Sequence, residues 1–346
     1  MNDRITLQQI GEMAGVSSAT VSRVLNNHPH VSGEVRGRVQ EVMDRTGYRP
    51  NPAARTLAGQ KSNILSLVIP ETAQILFTDP YFAHLAQGMA QACQVHDYAL
   101  SLFIFHAAED EAKIAQTLLS RQIFDGAILT ATQIGDPLVS QLADNGVPFV
   151  LVGQHEDARV SFVDADNVAG AYTAVSHLIH LGYERIGAII GPQSNLAALH
   201  RYEGYTKALR DWGRPLDERL VAQGEFLETG GYAAMRRLLA QRPQAIFAAS
   251  DAMAIGALRA VQDAGLAVPD DVALIGYDDL PHARMVKPQL TTVRQPIRAA
   301  GIRAVETLMD ILRSGLHPAR RIVLPTELVV RDTCGARRLM GGGISN

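Results

Sequence analysis

The sequence predicts a small all-α helix-turn-helix headpiece followed by an α/β body of two doubly wound parallel-sheet subdomains. Residues 6–59 read as short capped helices with no strand pattern. From residue 62 short apolar runs alternate with helical patterns, the texture of parallel α/β structure. Those runs then recur in the same order further along the chain. At 346 residues the chain exceeds a one-domain length of ~150 residues, so two or three cores are expected. Apolar residues make up 47%, yet no run approaches the ~20 needed to span a membrane, which points to a soluble globular protein. The start, MNDRITLQQ, lacks a basic-then-apolar leader. With only Cys93 and Cys334 in a long chain, reduced thiols and a cytoplasmic location are expected.

The first helix runs from Leu7 to about Ala14. Thr6 is its cap, Gln9 stands at the capping-box position, and Leu7, Ile10 and Met13/Ala14 recur at helical spacing. Gly15-Val16 makes the turn. Ser17 caps a second helix from Ser18 to about Asn26, with Val21, Val24 and Leu25 facing inward. Its opposite stripe is Ser18, Ala19, Ser22, Arg23 and Asn26, the arrangement of a recognition helix aimed at base edges in the major groove. Arg23 suits bidentate pairing with guanine and Ala19 suits a thymine methyl. Ser17, Thr20 and Ser22 suit phosphates, and Thr6 joins the DNA-facing set. The competing reading is an ordinary helical hairpin with a solvated polar face. A third helix, with Ser32 as cap, Val35, Val39, Val42 and Met43 inside and Gly47 as stop, closes a small core and weakens that alternative. Gly37 in its interior costs ~1 kcal/mol against alanine, with no reason visible in the sequence.

Next comes RPNPAARTLAG. Asn51 reads as a cap, Pro52 fits the first turn and Gly59 terminates a two-turn helix. Such a helix is shorter than the ~12–15 residues that persist alone in water. Ala53 and Ala54 permit close approach, Arg55 adds charge, and Leu57 has no core of its own, which suits a wedge between base pairs. A plain linker is the alternative. Charge agrees modestly with a nucleic-acid partner. Residues 1–61 hold eight Lys/Arg against five acids, a balance of +3, which leaves −6 for the rest of a chain whose total is −3.

In the body, NILSLVIP (63–70) precedes a polar loop and a helix around Tyr81–His96. RIGAIIG (185–191) precedes a polar loop and a helix around Arg201–Trp212. FDGAILTA (124–131) matches PQAIFAAS (243–250), and VPFVLVG (147–153) matches DVALIGY (271–277). Two similar open sheets place their strand C-terminal ends across a cleft, where such folds bind ligands. The polar groups follow those strands: Asp79-Pro80-Tyr81-Phe82, then Asn195 and Arg201, then Phe226, Ser250-Asp251 and Asp278-Asp279. One guanidinium, several carboxylates and an amide between aromatic walls suit a compact polyhydroxylated molecule. The alternatives are a structural Arg201–Asp278 ion pair and ordinary packing for Phe226 and Tyr81.

The combination ITLQQIGEMAGVSSATVSRVLNN, VS…V…GYRPN and AARTLAG resembles the lactose/galactose-repressor family of bacterial transcription regulators, and the similarity runs to about Cys334. The resemblance implies a periplasmic-binding-protein-like body with three crossovers between its halves. It implies base reading by Ser18, Ala19 and Arg23, and insertion of Leu57 at an operator centre. It places Arg201 (R-x-x-G) and Asp278 (GYDD) on effector-holding positions, and Phe82, Asn195, Phe226 and Asp251 on the pocket lining. Purine-binding members carry Arg and Thr where Asn195 and Ala197 stand, a departure that leans towards sugar.

The expected organisation is a helix-turn-helix domain at 1–49, a hinge helix or linker at 50–61, an effector-binding and dimerisation domain at 62–335, and a flexible tail at 336–346. Within the body the halves are about 62–163 with 293–323, and about 164–292 with 324–335. The expected DNA contacts are Thr6, Ser17–Thr20, Ser22, Arg23, Asn26, Asn51, Ala54, Arg55 and Leu57. The expected effector contacts are Tyr81, Phe82, Asn195, Arg201, Phe226, Asp251 and Asp278. The expected partners are a palindromic double-stranded operator, a sugar or sugar phosphate, and a second copy of the chain, in a dimer rather than a tetramer because no leucine-heptad tail follows Cys334. Enzyme readings fare poorly. The adjacent carboxylates of Asp278-Asp279 diverge at a strand end rather than forming an acid/base pair. His177 and His180 lack a third ligand, and no nucleophile elbow, Walker loop or dinucleotide fingerprint follows a strand. No metal or cofactor is expected. The rivals are a purine- or nucleoside-responsive regulator and, from another class, a transporter-associated sugar-binding protein.

Overall fold

The reciprocal capping box predicted at Thr6 forms. In the computed structural model the Thr6 hydroxyl accepts from the Gln9 amide at 3.3 Å, while the Gln9 side chain accepts from the Thr6 amide at 2.8 Å. The structure describes residues 5–25, 28–48, 61–69, 79–104, 111–120, 123–130 and 133–336. Of the expected DNA contacts, Asn26, Asn51, Ala54, Arg55 and Leu57 lie outside these residues, as does the tail beyond Ala336. The chain divides into two units, Met1–Ser62 and Asn63–Asn346.

Helix α1 (Leu7–Ala14) ends at Gly15 in the left-handed region with φ 67°. Ser17 accepts from the Thr20 amide at 3.2 Å and starts α2 (Ser18–Leu25). Ser32 caps α3 (Gly33–Thr46), which stops at Gly47 with φ 64°. Ile10, Ala14, Val21, Val24, Val39, Val42 and Met43 form the small core. The ambiguity at Met13/Ala14 resolves in favour of Ala14, with Met13 half exposed. Gly11 has a role that periodicity does not reveal. A Cβ there would lie 2.7 Å from the Val16 carbonyl oxygen, so the turn folds back only against glycine. Arg36, one of the eight Lys/Arg within residues 1–61, turns inward. It donates to the carbonyls of Val24 and His28 at 3.4 and 3.2 Å, tying down the end of α2. Gly37 meets nothing within 4 Å, and the structure supplies no reason for it.

The second unit holds two six-stranded sheets. The first is built from β1 (Ile64–Ile69), β2 (Ala99–Ile104), β3 (Gly126–Thr130), β4 (Phe149–Val152), β5 (Phe162–Ala165) and β11 (Arg321–Leu324), in the order β11-β5-β4-β3-β1-β2. The second uses β6 (Ile186–Ile190), β7 (Val221–Gln223), β8 (Ala245–Ala248), β9 (Ala273–Asp278), β10 (Thr291–Arg294) and β12 (Glu327–Val329), in the order β12-β10-β9-β8-β6-β7. The three repeated motifs therefore occupy the same places in both sheets: β1 with β6, β3 with β8, and β4 with β9. One pairing breaks the likeness, since β11 runs parallel to β5 whereas β12 runs antiparallel to β10. Both faces of each sheet are covered, so Leu65, Leu67 and Ile69 join one core cluster while Val68 joins another across the sheet.

Helices α4 (Pro80–Val95), α5 (Glu111–Ser120) and α6 (Pro137–Asp144) flank the first sheet, and α8 (Leu196–Asp211), α9 (Glu228–Leu238) and α10 (Asp251–Asp263) flank the second, with the short α11 (His282–Met285) after β9. The halves exchange one helix each. After β5 the chain crosses to form α7 (Asn167–His180), which packs on α8. After β10 it crosses back to form α12 (Ile297–Ser314), which packs on α4, and it crosses a third time between β11 and β12. Helix α8 starts at Leu196, five residues before the expected Arg201, because Asn195 supplies a cap that apolar periodicity does not register. Cys93 and Cys334 are free thiols buried in separate cores. Among the described residues no helix is long and apolar enough to cross a membrane.

Candidate functional site

On α2, Ser18, Ala19 and Arg23 are exposed and Thr20 and Ser22 half exposed, while Val21 and Val24 are buried beneath them. Ser17 is also exposed, although its hydroxyl is engaged with both the amide and the hydroxyl of Thr20. Thr6 is exposed and engaged in its capping box. The headpiece thus presents one continuous polar edge on a helix whose other edge is fixed by its core.

In the body a cavity enclosing about 890 Å³ of space, part of it open to solvent, lies at the strand C-terminal ends. Tyr81, Phe82, Asn195, Arg201, Phe226 and Asp278 all line it. Asp251 does not, which corrects the expectation for that residue. Its side chain is fully buried behind the wall, where it accepts from the Thr292 hydroxyl at 2.5 Å and the Leu280 amide at 2.8 Å. Its neighbours Ser250 and Ala252 reach the cavity instead.

Arg201 is the hub. Its Nε donates to Asn167 at 2.8 Å, and Nη1 donates to the Ala249 carbonyl at 2.6 Å and to Asp278 at 3.4 Å. The guanidinium lies 3.9 Å from the centroid of the Tyr277 ring, an arrangement that fixes its plane. Nη2 carries no hydrogen bond among the described residues, so one fork of the guanidinium is available to the cavity. The structural-brace and ligand readings of this pair therefore coexist in one geometry. Asp278 also accepts from Gln295 at 2.6 Å, and it has φ 120°. Phe226 has φ 56°. Two lining residues in costly backbone regions are the kind of strain that surrounding structure holds in place for function. Gly191 makes room for Phe226, whose ring would collide with any Cβ at that position.

Asp279 diverges from Asp278 as expected. It turns away from the cavity onto Arg294 at 2.8 Å, Arg284 at 3.4 Å and Arg331. No acid/base pair arises from the two. His180 bonds the Ser176 carbonyl at 2.7 Å and packs edge-on against Trp212. Among the described residues no cluster of three metal-ligating side chains occurs.

Several lining residues were absent from the expected set: Thr130, Gln154, Asp164 and Gln295, together with Asp79 and Ser250, which were noted only as loop residues. Asp164 carried a readable signal, an acid inside the otherwise apolar run FVDA. It accepts from Asn167 at 3.1 Å, so it joins the network that ends at Arg201. Burial pushes its carboxyl up from 3.8 to about 6. Asp278 is also pushed up to about 6, burial outweighing the opposing charge of Arg201. Burial raises Asp79 as well.

A raised carboxyl pKa in the folded state opposes folding once the group ionises. The stabilising proton is fully bound below 3.8 and is lost as pH rises through about 6. Asp164→Asn is therefore expected to raise stability at pH 7.5 by about 2–3 kcal/mol and to give no gain at pH 4. Urea denaturation of both proteins at the two pH values checks this. A gain independent of pH, or a loss at pH 7.5, refutes the assigned cause.

Comparison with known proteins follows the same division of the chain. Residues 6–51 match the family described as bacterial regulatory proteins, lacI family, and residues 175–334 match a periplasmic binding protein-like domain. The HTH-type transcriptional regulator CelR of Thermobifida fusca is 37% identical over 335 residues, covering 95% of this chain and 98% of its own. A solved CelR–cellobiose complex superposes with a TM-score of 0.76 at 36% identity, covering 95% of this chain and 100% of that one. The lac repressor dimer bound to operator and the anti-inducer ONPF gives a TM-score of 0.84 at 27% identity, covering 96% and 99% of the two chains.

Proposed function

The chain belongs to the LacI family of bacterial regulatory proteins, and from that premise we propose that it represses carbohydrate-use genes under the control of a sugar bound in the body's cavity. It is a sequence-specific DNA-binding transcriptional regulator. The observation that carries the sugar reading is the Arg201–Asp278 pair at the strand ends, with one guanidinium nitrogen unspent among the described residues and aromatic residues beside it. A polyhydroxylated ring offers both donors and acceptors to such a pair and an apolar face to Phe226 and Tyr81. A purine co-repressor fits less well, since Asn195 spends its side-chain oxygen on the Ala198 amide. The cellobiose in the CelR complex supports a saccharide of that kind.

The working unit we propose is a cytoplasmic homodimer, each protomer setting one α2 in a half-site of a palindrome. The role is one of binding rather than catalysis. The divisions proposed are 1–49 for the headpiece, 50–61 for the hinge and 62–335 for the effector body. Sugar must bind the DNA-competent and incompetent states with different affinity, a coupling of ~1–3 kcal/mol in comparable systems. Fluorescence anisotropy with a selected operator, with and without cellobiose and related saccharides, tests it. Unchanged operator affinity at saturating ligand removes the regulatory half of the reading.

Arg23→Ala is expected to relax the preference at one base pair per half-site by ~1–3 kcal/mol without altering the fold, since Arg23 is exposed on α2. Binding-site selection with the variant reads this directly. An unchanged base preference rules out Arg23 as a base-reading residue.

A further inference from the structure

The cavity carries an unbalanced charge. Asp79 and Asp164 from the first half and Asp278 from the second all line it, against Arg201 as the sole Lys or Arg among the described lining residues. Arg201 is already matched by Asp278 at 3.4 Å. His282, whose charge acts on Asp79, does not line the cavity.

The backbone groups that hold anions in other proteins are also partly engaged. A helix N-terminus attracts phosphate through its free amides and its dipole. Three helices begin at this cavity, and in each the cap residue takes one of those amides. Asp79 accepts from the Tyr81 amide at 2.9 Å, Asn195 from the Ala198 amide at 3.0 Å, and Ser250 from the Met253 amide at 3.2 Å. At α4 the cap is itself a carboxylate, so the dipole's positive end already has its negative charge. Beside the Arg201 fork, the charged groups that remain for a ligand are carboxylates, which accept hydrogen bonds and repel anions.

We propose that Asp79 and Asp164 are specificity residues that admit an uncharged saccharide by accepting its hydroxyls and exclude phosphorylated or acidic sugars. This rests on the reading of the cavity as the effector site. It narrows the effector class from sugar or sugar phosphate to neutral sugar. The effect is selective: a hydroxyl gains from an ionised acceptor, whereas a phosphate placed against two unmatched carboxylates meets like charge in a poorly screened cleft.

The test uses the full chain in a buffer free of oxyanions. Isothermal titration compares glucose and cellobiose with glucose 6-phosphate, cellobiose 6-phosphate and glucuronate. Thermal denaturation with inorganic phosphate runs in parallel. The expected result is binding of a neutral sugar at least about 100-fold tighter than its anionic counterpart, and no stabilisation by phosphate. The Asp79→Asn/Asp164→Asn variant is expected to narrow that ratio by about tenfold or more and to acquire stabilisation by phosphate that Arg201→Met removes. Equal or tighter binding of a phosphorylated or acidic sugar to the wild-type chain overturns the proposal. So does phosphate stabilisation of the wild-type chain that is lost in Arg201→Met, or a double variant that remains indifferent to phosphate. Binding of adenine or guanine by a chain that ignores every saccharide would instead overturn the sugar reading beneath it. The phosphate arm would still report on the two carboxylates.

Discussion

Arg201→Met is expected to abolish the response to sugar and also to destabilise the body by ~3–5 kcal/mol. Both effects have one origin. Arg201 and Asp278 are buried, with side chains 7% and 9% exposed, and the guanidinium also serves Asn167 and the Ala249 carbonyl. Its removal leaves the buried Asp278 carboxylate without its compensating charge, and leaves two further acceptors short of a donor. Adding Asp278→Asn removes the stranded charge. Most of the lost stability should return in the Arg201→Met/Asp278→Asn protein, because Gln295 still satisfies the oxygen at position 278. The sugar response should not return, because the fork facing the cavity is gone. Chemical denaturation and sugar titration of the wild-type, single and double variants separate the two effects. A double variant that recovers both stability and sugar response would make the pair a brace and nothing more.

A chain beginning at Asn63 is expected to keep its fold and its sugar affinity while losing operator selectivity by at least about 10³-fold. The two units have separate hydrophobic cores, the headpiece core being complete within residues 10–43. The body's sheets, its exchanged helices and every described residue of its cavity lie beyond the cut. Specific DNA affinity exceeds non-specific affinity through base contacts, and the exposed edge of α2 is where the proposed base readers stand. Competition binding against random-sequence DNA measures the loss. Selectivity retained by the shortened chain would remove Ser18, Ala19 and Arg23 from the mechanism altogether.

How much was legible beforehand depended on the range of the interactions involved. Thr6 with Gln9, Ser17 with Thr20 and Ser32 with Val35 lie three residues apart, so the capped helices of the headpiece could be read directly. The repeated strand motifs were equally clear, because two buried faces demand continuous apolar runs wherever such a strand occurs. Arg36 could not be placed from the sequence, because its charge is visible there and its carbonyl partners are not. Asp251 was misplaced. An acid after a strand suggests a cleft residue, yet Thr292, 41 positions away, takes its carboxylate out of the cavity.

By itself the sequence determined the headpiece caps, the six repeated strand motifs, the polar edge of α2 and six of the seven expected cavity residues. Each of these follows from local hydrogen bonding, side-chain periodicity or a position at the end of a strand. The exchange of α7 and α12 was implied by the family resemblance, but only the tertiary structure decided that Asp79, Asp164 and Gln295 join Arg201 and Asp278 around one space. Those encounters span tens to hundreds of residues, and they depend on which sheet each crossing strand pairs with. Their charge balance, and hence the chemistry the cavity accepts, exists only after the two halves have come together.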